Sequence, residues 1–515
     1  MPLAPNRELG LDAKGYFNLL VSPVDSASRW TGMVFSSISF IFYFLPVFFL
    51  CYFALGRSNW VIIAGSAVFY VWGEGANIIL ITTLLLINYG LGRLVRRTDF
   101  GSWALLAGIG INLAALVHYK YAQFLVDNLT TIGLGFAAQY PVDAEHHLPL
   151  GISFFVFQNI SYLVDVHLGR VEVEKRLSRL ATCVLMFPHL IAGPIVRYAN
   201  IAGEIAARQV SWMTVGLGIQ YFIVGLAQKV MVANSAARFS DHAFSIAGKD
   251  LDSLTAWLGA VSYTIQIYFD FCGYSNMAIG LALAMGFHFP RNFNYPYSAQ
   301  SITEFWRRWH ISLSTWFRDY VYIALGGNRA GRLTTLRNLL IVFLLTGFWH
   351  GAAWTFVLWG LFHGLFLLIE REGLGGALLG LPVFVRRLYT MIVVIFGWVL
   401  FRAGNLDQCW AFWKAMVFLS HPAPDPLQPV PLSLWLTPEV ALALMAGFIL
   451  SQPSLPYLLD RLGLSRIGRR TEIADPALDI HDVHALPVIV LLIGFVASVA
   501  LLTGDSLNPF LYFRF

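Results

Sequence analysis

Charged side chains are scarce in this chain. Asp, Glu, Lys and Arg supply 12% of its 515 residues, while 57% are hydrophobic. Soluble domains carry about a quarter charged residues, so this composition excludes an ordinary soluble fold and indicates an integral membrane protein. Cysteine is scarce too. Cys51, Cys183, Cys272 and Cys409 lie within or beside apolar stretches without C-x-x-C spacing. That excludes a disulfide framework or zinc ribbon and reads them as small buried hydrophobes. The thirteen histidines offer no H-x-x-x-H pair backed by a carboxylate, so no metal site is expected. No G-x-S-x-G elbow, P-loop or internal repeat is visible, which counts against inverted-repeat transporters. Strand-type alternation is absent, leaving an all-α, polytopic fold.

Apolar stretches fall near 36–55, 60–73, 77–92, 103–119, 181–196, 213–233, 255–271, 273–287, 336–350, 353–369, 388–402, 435–452 and 486–503. Some are short for a hydrocarbon core of about 30 Å, so about nine to thirteen spans are expected, some of them re-entrant or broken. The longest run, Asn338 to Glu370, carries His350 near its middle. A single helix of that length would overshoot the bilayer, since each residue adds about 1.5 Å. A hinge near Gly347 or Gly351 is therefore expected. It would leave a titratable ring deep in the membrane, where such residues are costly and mark functional sites.

A neutral imidazole there can take a proton from a hydroxyl and pass it on, as acyl transfer to an alcohol requires. The alternative is a structural hydrogen bond between helices. Trp349 and Gly351 flank His350 with one bulky and one minimal neighbour. Asp270, in YFDFCGYSNMAIG, is a second intramembrane ionisable group. It either caps the helix that follows or positions a substrate or proton.

The segment 304–332 (EFWRRWHISLSTWFRDYVYIALGGNRAGR) joins basic and aromatic residues. Phe305, Trp306, Trp309, Trp316 and Phe317 recur at spacings of three, four and seven. An amphipathic helix lying in the interface is expected, rings toward lipid or core and arginines toward headgroups. Arg307, Arg308 and Arg318 can alternatively attract a phosphate-bearing substrate. Basic loops beside spans favour the cytoplasmic side. That side is expected for this segment and, if the early spans alternate, for Arg57, Arg93, Arg96 and Arg97. His310 sits within it.

Outside the spans, residues 165–180 read as an interfacial helix, 421–431 as a proline-rich loop, and 460–485 as a polar loop or short amphipathic helix. Residues 1–32 are a polar extension before a membrane domain over 33–515.

SITEFWRRWHISLSTWFRDYVYIALGGNR followed by TGFWHGAAWTFVLWGLFHG closely resembles the signature of the membrane-bound O-acyltransferase superfamily. MVFSSISFIFYFLPVFF, LPLGISFFVFQNISYLVDV, FPHLIAGPIVRY, FDFCGYSNMAIGLALAMGFHFPRNFNYPY and the terminal NPFLYFRF resemble its bacterial alginate O-acetyltransferase branch. His189 departs from a glutamine in the related FPQLIAGP motif.

The resemblance implies a funnel through the bacterial inner membrane. It implies transfer of acetyl from a cytoplasmic donor, acetyl-CoA, toward an exopolysaccharide, with alginate first and cellulose or another exopolymer as alternatives. By carry-over, His350 takes the family's invariant histidine position and His310 the second; Trp306, Trp349 and Asp270 are expected beside them as supporting residues from the sequence itself. Implied partners are membrane lipid, a periplasmic acetyltransferase, an exopolysaccharide synthesis complex and the polysaccharide acceptor, with no nucleic acid and no bound cofactor. A proton-coupled transporter and a non-catalytic scaffold are the rival readings from other classes.

Overall fold

The computed structural model describes residues 33–96, 99–135, 140, 148–329, 331–418, 432–454, 461, 487–504 and 511. The extension 1–32, Arg97, the segment 421–431, nearly all of 460–485 and most of the terminal motif lie outside the described residues. Among the described residues the regular structure is helical throughout.

The main helices are α1 (Leu45–Ala54), α2 (Asn59–Glu74), α3 (Ile78–Val95), α4 (Gly101–Leu116), α5 (Ala122–Thr131), α6 (Ile152–His167), α7 (Leu177–Leu185), α8 (Tyr198–Ala207), α9 (Trp212–Ala227) and α10 (Ser235–Ser245). They continue as α11 (Ser253–Ala284), α12 (Ile302–Arg308), α13 (Ile311–Phe317), α14 (Arg332–His350), α15 (Trp354–Ile369), α16 (Val383–Arg402), α17 (Leu406–Phe418), α18 (Pro438–Leu450) and α19 (Val488–Gly504). Among the described residues, six continuous helical runs are long and apolar enough to cross a membrane, and three shorter apolar helices accompany them. Some segments that look separate in the sequence are joined. The stretches near 60–73 and 77–92, for instance, form one run, Asn59–Val95. Large apolar side chains such as Val47, Leu50, Trp72, Trp103, Phe448 and Val490 face outward, as a lipid-exposed surface requires. This is a multi-pass membrane protein.

α11 is the central element, 32 residues buried on nearly every face. The Asp252 carboxylate caps its start by accepting from the Thr255 N–H at 3.0 Å. The helix joins the apolar stretches near 255–271 and 273–287 without a break. Gly273 and Gly280 let α9 approach closely, since a Cβ at either would come within 2.6 or 2.4 Å of the Gly225 or Gly218 carbonyl oxygen. Small residues at such crossings are how membrane helices pack without a hydrophobic drive.

The long run around His350 breaks as its length predicts. α14 ends at His350, Gly351 is extended (φ −167°, ψ 156°), and α15 starts at Trp354. The two form a tight hairpin. A Cβ on Gly347 would lie 2.3 Å from the Phe356 carbonyl oxygen, and one on Gly360 2.2 Å from that of Phe343.

Two expectations are corrected. Residues 165–180 are not one interfacial helix: α6 ends at His167, turns and extended chain follow, and α7 starts at Leu177. Segment 304–332 is not one amphipathic helix either. His310 adopts a left-handed conformation (φ 43°, ψ 54°) and separates α12 from α13. Phe305, Trp306, Trp309, Trp316 and Phe317 are all buried in the protein core. Periodicity marks an apolar face without saying whether protein or lipid covers it. Cys183, Cys272 and Cys409 are buried as expected, whereas Cys51 is exposed.

Candidate active site

The α14–α15 hairpin carries His350 to the centre of the molecule, where 6% of its surface is exposed. Trp349, Trp359 and Phe401 surround the ring at centroid distances of 4.9, 5.1 and 5.2 Å, each edge-on. Neither ring nitrogen of His350 has a hydrogen-bond partner among the described residues, and the same holds for the indole N–H groups of Trp349 and Trp359. Buried polar atoms are nearly always paired in folded proteins. Among the described residues His363 is unpaired at both nitrogens as well, so what sets His350 apart is the space beside its ring.

His350 lines two cavities. One is small and apolar, with Phe271, Trp309, Trp359, Trp398, Phe401 and Leu511 in its walls. The other, also small, is lined by Lys120, Ser153, Trp349 and the 148–152 segment. A group on either side can thus approach the same imidazole.

His310 comes from the break between α12 and α13, and its ring centroid lies 6.5 Å from that of His350. That is too far for a direct hydrogen bond between the rings, and near enough for one reacting group to touch both. A positive φ at a non-glycine residue is costly and clusters at functional sites. Its surroundings fix its tautomer. His310 Nδ1 lies 3.0 Å from Asn292 Oδ1. The same oxygen accepts from Ser312 Oγ at 2.8 Å, while Asn292 Nδ2 donates to Ser275 Oγ at 3.1 Å. An oxygen acceptor requires the proton on Nδ1, which leaves Nε2 with the lone pair.

Asp270 does not cap a helix, because α11 continues through it. Its carboxylate is 2.8 Å from Lys229 Nζ, with both side chains almost wholly buried, and accepts the Leu511 N–H at 2.9 Å. Lys229 lies forty-one residues upstream, so nothing local to Asp270 reveals the pair. Asp270 thereby holds a piece of the C-terminal segment as a wall of the apolar cavity.

Trp306 supports the site indirectly, packing edge-on against Phe343 and Trp359 at 5.1 and 5.5 Å. The three arginines do not line either His350 cavity. Arg308 is paired with Glu304, Nε to Oε1 2.9 Å. Arg318 donates to Asp319 at 2.7 Å, and the other oxygen of Asp319 takes Arg197 at 2.9 Å. Burial alone would raise the Asp319 carboxyl, but the hydrogen bonds and charges of Arg318 and Arg197 outweigh it and hold it below the ordinary carboxylate value. Arg307 is exposed and unpaired among the described residues. His189 is buried, with Nε2 2.8 Å from the Cys183 carbonyl oxygen. No three-residue cluster of metal-ligating side chains occurs among the described residues.

Comparison with known proteins shows what kind of protein carries these residues. Residues 144–409 match the membrane-bound O-acyltransferase family profile, covering both histidines and the hairpin. The chain belongs to the membrane-bound O-acyltransferase family. It is 40% identical over 508 residues to a Pseudomonas putida protein named "Probable alginate O-acetylase AlgI", covering 94% of this chain and all of that protein. A peptidoglycan O-acetyltransferase of Helicobacter pylori is 34% identical, over 78% of this chain and 83% of its own length. A teichoic acid D-alanyltransferase of Bacillus subtilis is 30% identical over 43% of this chain. The protein is therefore an O-acyltransferase, and the transporter and scaffold readings fall away.

In this acyltransferase the residues that sequence reasoning missed are Asn292, Lys120 and Tyr121. Asn292 stands in an R-N-F-N stretch with no local sign of its partner. Lys120 had a signal, a cation at the end of an apolar run, and intramembrane cations mark function or pairing.

Proposed function

We propose that the acyltransferase moves acetyl from acetyl-CoA to an exopolysaccharide hydroxyl, with His350 as general base. One observation carries this reading: an imidazole with both nitrogens unpartnered stands where two cavities meet. The thioester enters from the cytoplasmic face near α12 and α13 and places its acyl group in the apolar cavity. Arg307, exposed and unpaired, meets the nucleotide phosphates first. Arg308 and Arg318 exchange their carboxylate partners for phosphate less readily.

The acceptor hydroxyl arrives through the cavity that Lys120 and Ser153 line. His350 takes its proton as the oxygen attacks the thioester carbonyl carbon. The tetrahedral centre collapses, the C–S bond breaks, and the CoA thiolate leaves with the proton that His350 holds. His310, with its lone pair on Nε2, orients a reactant or relays the proton.

The names of the full-length relatives make alginate the first acceptor to test, in the inner membrane of a bacterium, beside a periplasmic acetyltransferase partner. The test uses purified protein, radiolabelled acetyl-CoA and alginate oligosaccharides. Labelled ester on the oligosaccharide with stoichiometric release of free CoA supports the reading. Release of CoA without labelled sugar, also with cellulose oligosaccharides or the partner protein as acceptor, overturns it.

A further inference from the structure

Between α4 and α5 the chain makes a wide, π-helical turn over Val117–Tyr121. Such turns insert one residue into the helical repeat and recur at functional sites. Here the turn brings two successive side chains, Lys120 and Tyr121, onto one target, the last carbonyls of α14. Lys120 Nζ donates to the Trp349 oxygen at 2.7 Å, the His350 oxygen at 3.2 Å and Ser153 Oγ at 3.3 Å. The Tyr121 hydroxyl donates to the Phe348 oxygen at 2.8 Å.

These are carbonyls that α14 cannot satisfy itself. A helix leaves its last four C=O groups unpaired, and a left-handed residue after the end commonly closes some of them. Gly351 is extended instead, so that closure is absent. A cation also complements the negative end of the helix macrodipole. Lys120 therefore spends its three donors on the turn that carries the base and on the segment that borders the second cavity.

The ring of His350 has no polar anchor of its own among the described residues. What sets its position is the packing of three aromatic rings and the main chain beneath it. The polar restraint on the carbonyls of residues 348–350 comes from Lys120 and Tyr121.

We infer that Lys120 is a positioning residue for His350, acting through the backbone of Trp349 and His350, with Tyr121 as its auxiliary. This rests on His350 being the base. Removing the ammonium loosens the last turn of α14 and misplaces the imidazole between donor and acceptor. A displacement of about 1 Å can cost about 10²-fold in rate. Binding of the thioester, which sits mainly in the other cavity, changes little.

The test has two arms on full-length protein in detergent. In the first, Lys120→Met speeds amide hydrogen exchange over residues 346–353, and Lys120→Arg, which can still donate to the carbonyls, does so much less. This arm needs no substrate, so unchanged exchange in Lys120→Met overturns the inference whatever the enzyme acetylates. In the second, Lys120→Met lowers kcat by about 10- to 100-fold with KM for acetyl-CoA within about twofold, and Lys120→Arg recovers most of kcat. In a His350→Ala background, Lys120→Met costs nothing further, as residues acting through one group are not additive. A further loss in that background, or Lys120→Arg as impaired as Lys120→Met, overturns it. Should Lys120→Met fail to fold, Tyr121→Phe removes one hydroxyl only. It is expected to lower kcat several-fold at constant KM, and an unchanged kcat overturns the inference. A wild-type enzyme silent toward acetyl-CoA counts against the acetyl donor, and the exchange arm then judges Lys120 alone.

Discussion

His310 Nδ1 and Asn292 Oδ1 lie 3.0 Å apart, and this hydrogen bond fixes which nitrogen of His310 is basic. Asn292 is oriented in turn by main-chain groups, its Oδ1 accepting from the Ser312 N–H at 3.4 Å and its Nδ2 donating to the Gly193 carbonyl oxygen at 3.5 Å, and a turned amide would lose both. Replacing it with alanine frees the ring to rotate and to exchange tautomers. Asn292→Ala is expected to lower the initial rate of acetyl transfer by about tenfold or more, within the range of lost acid–base assistance. Asn292→Asp keeps an oxygen acceptor and should retain more activity. Equal rates in Asn292→Ala and wild type would show that the contact is structural only.

The Lys229–Asp270 pair is almost fully buried. Losing one partner of such a pair leaves an uncompensated charge and costs about 3–5 kcal/mol. Asp270→Asn and Lys229→Met should each lower the thermal unfolding midpoint in detergent. Joint replacement by Leu at 270 and Met at 229 should recover much of that loss. If each single variant melts like wild type, the pair contributes nothing to stability.

Packing between α14 and α15 makes its own prediction. Gly347→Ala forces a methyl group against the Phe356 carbonyl oxygen, at 2.3 Å before relaxation. Backbone at that distance cannot yield cheaply, so the hairpin should open, with lower stability and lower transfer rate together. Gly376→Ala, where nothing lies within 4 Å, should leave both nearly unchanged. Equal melting temperatures for the two variants would contradict the close approach.

A pH dependence follows from Asp319. Its carboxyl is held below the ordinary value near 3.8 by Arg318 and Arg197. A group whose folded pKa is depressed stabilises the fold above its unfolded pKa, and that contribution disappears as pH falls through the folded value. The unfolding midpoint of the wild type should therefore drop below about pH 4 by more than that of Asp319→Asn. Parallel curves for the two proteins over that range would refute the assignment.

How much of this was legible in the sequence depends on the range of each interaction. The break at Gly351 followed from the length of one apolar run against bilayer thickness, a local argument. His350 and His310 stood out by burial cost and by the resemblance of the motifs around them. The helix break at His310 gave no sequence sign, because a left-handed conformation at a non-glycine residue is imposed by tertiary contacts, here Asn292. Asp270 was read as a cap because its partner is far upstream. The aromatic face of 304–332 was visible, yet whether Trp306 and Trp316 meet lipid or protein depends on which helices pack over them. Lys120 shows the same limit: its target carbonyls lie about 230 residues downstream, beyond any pattern in the sequence.

The most direct measurement compares acetyl transfer from radiolabelled acetyl-CoA by wild-type protein and His350→Ala, both purified, monodisperse and matched for thermal stability. With His350 as the base, the variant should lose about 10²–10⁴-fold in rate while still binding acetyl-CoA. A variant that transfers acetyl at the wild-type rate would contradict the central claim.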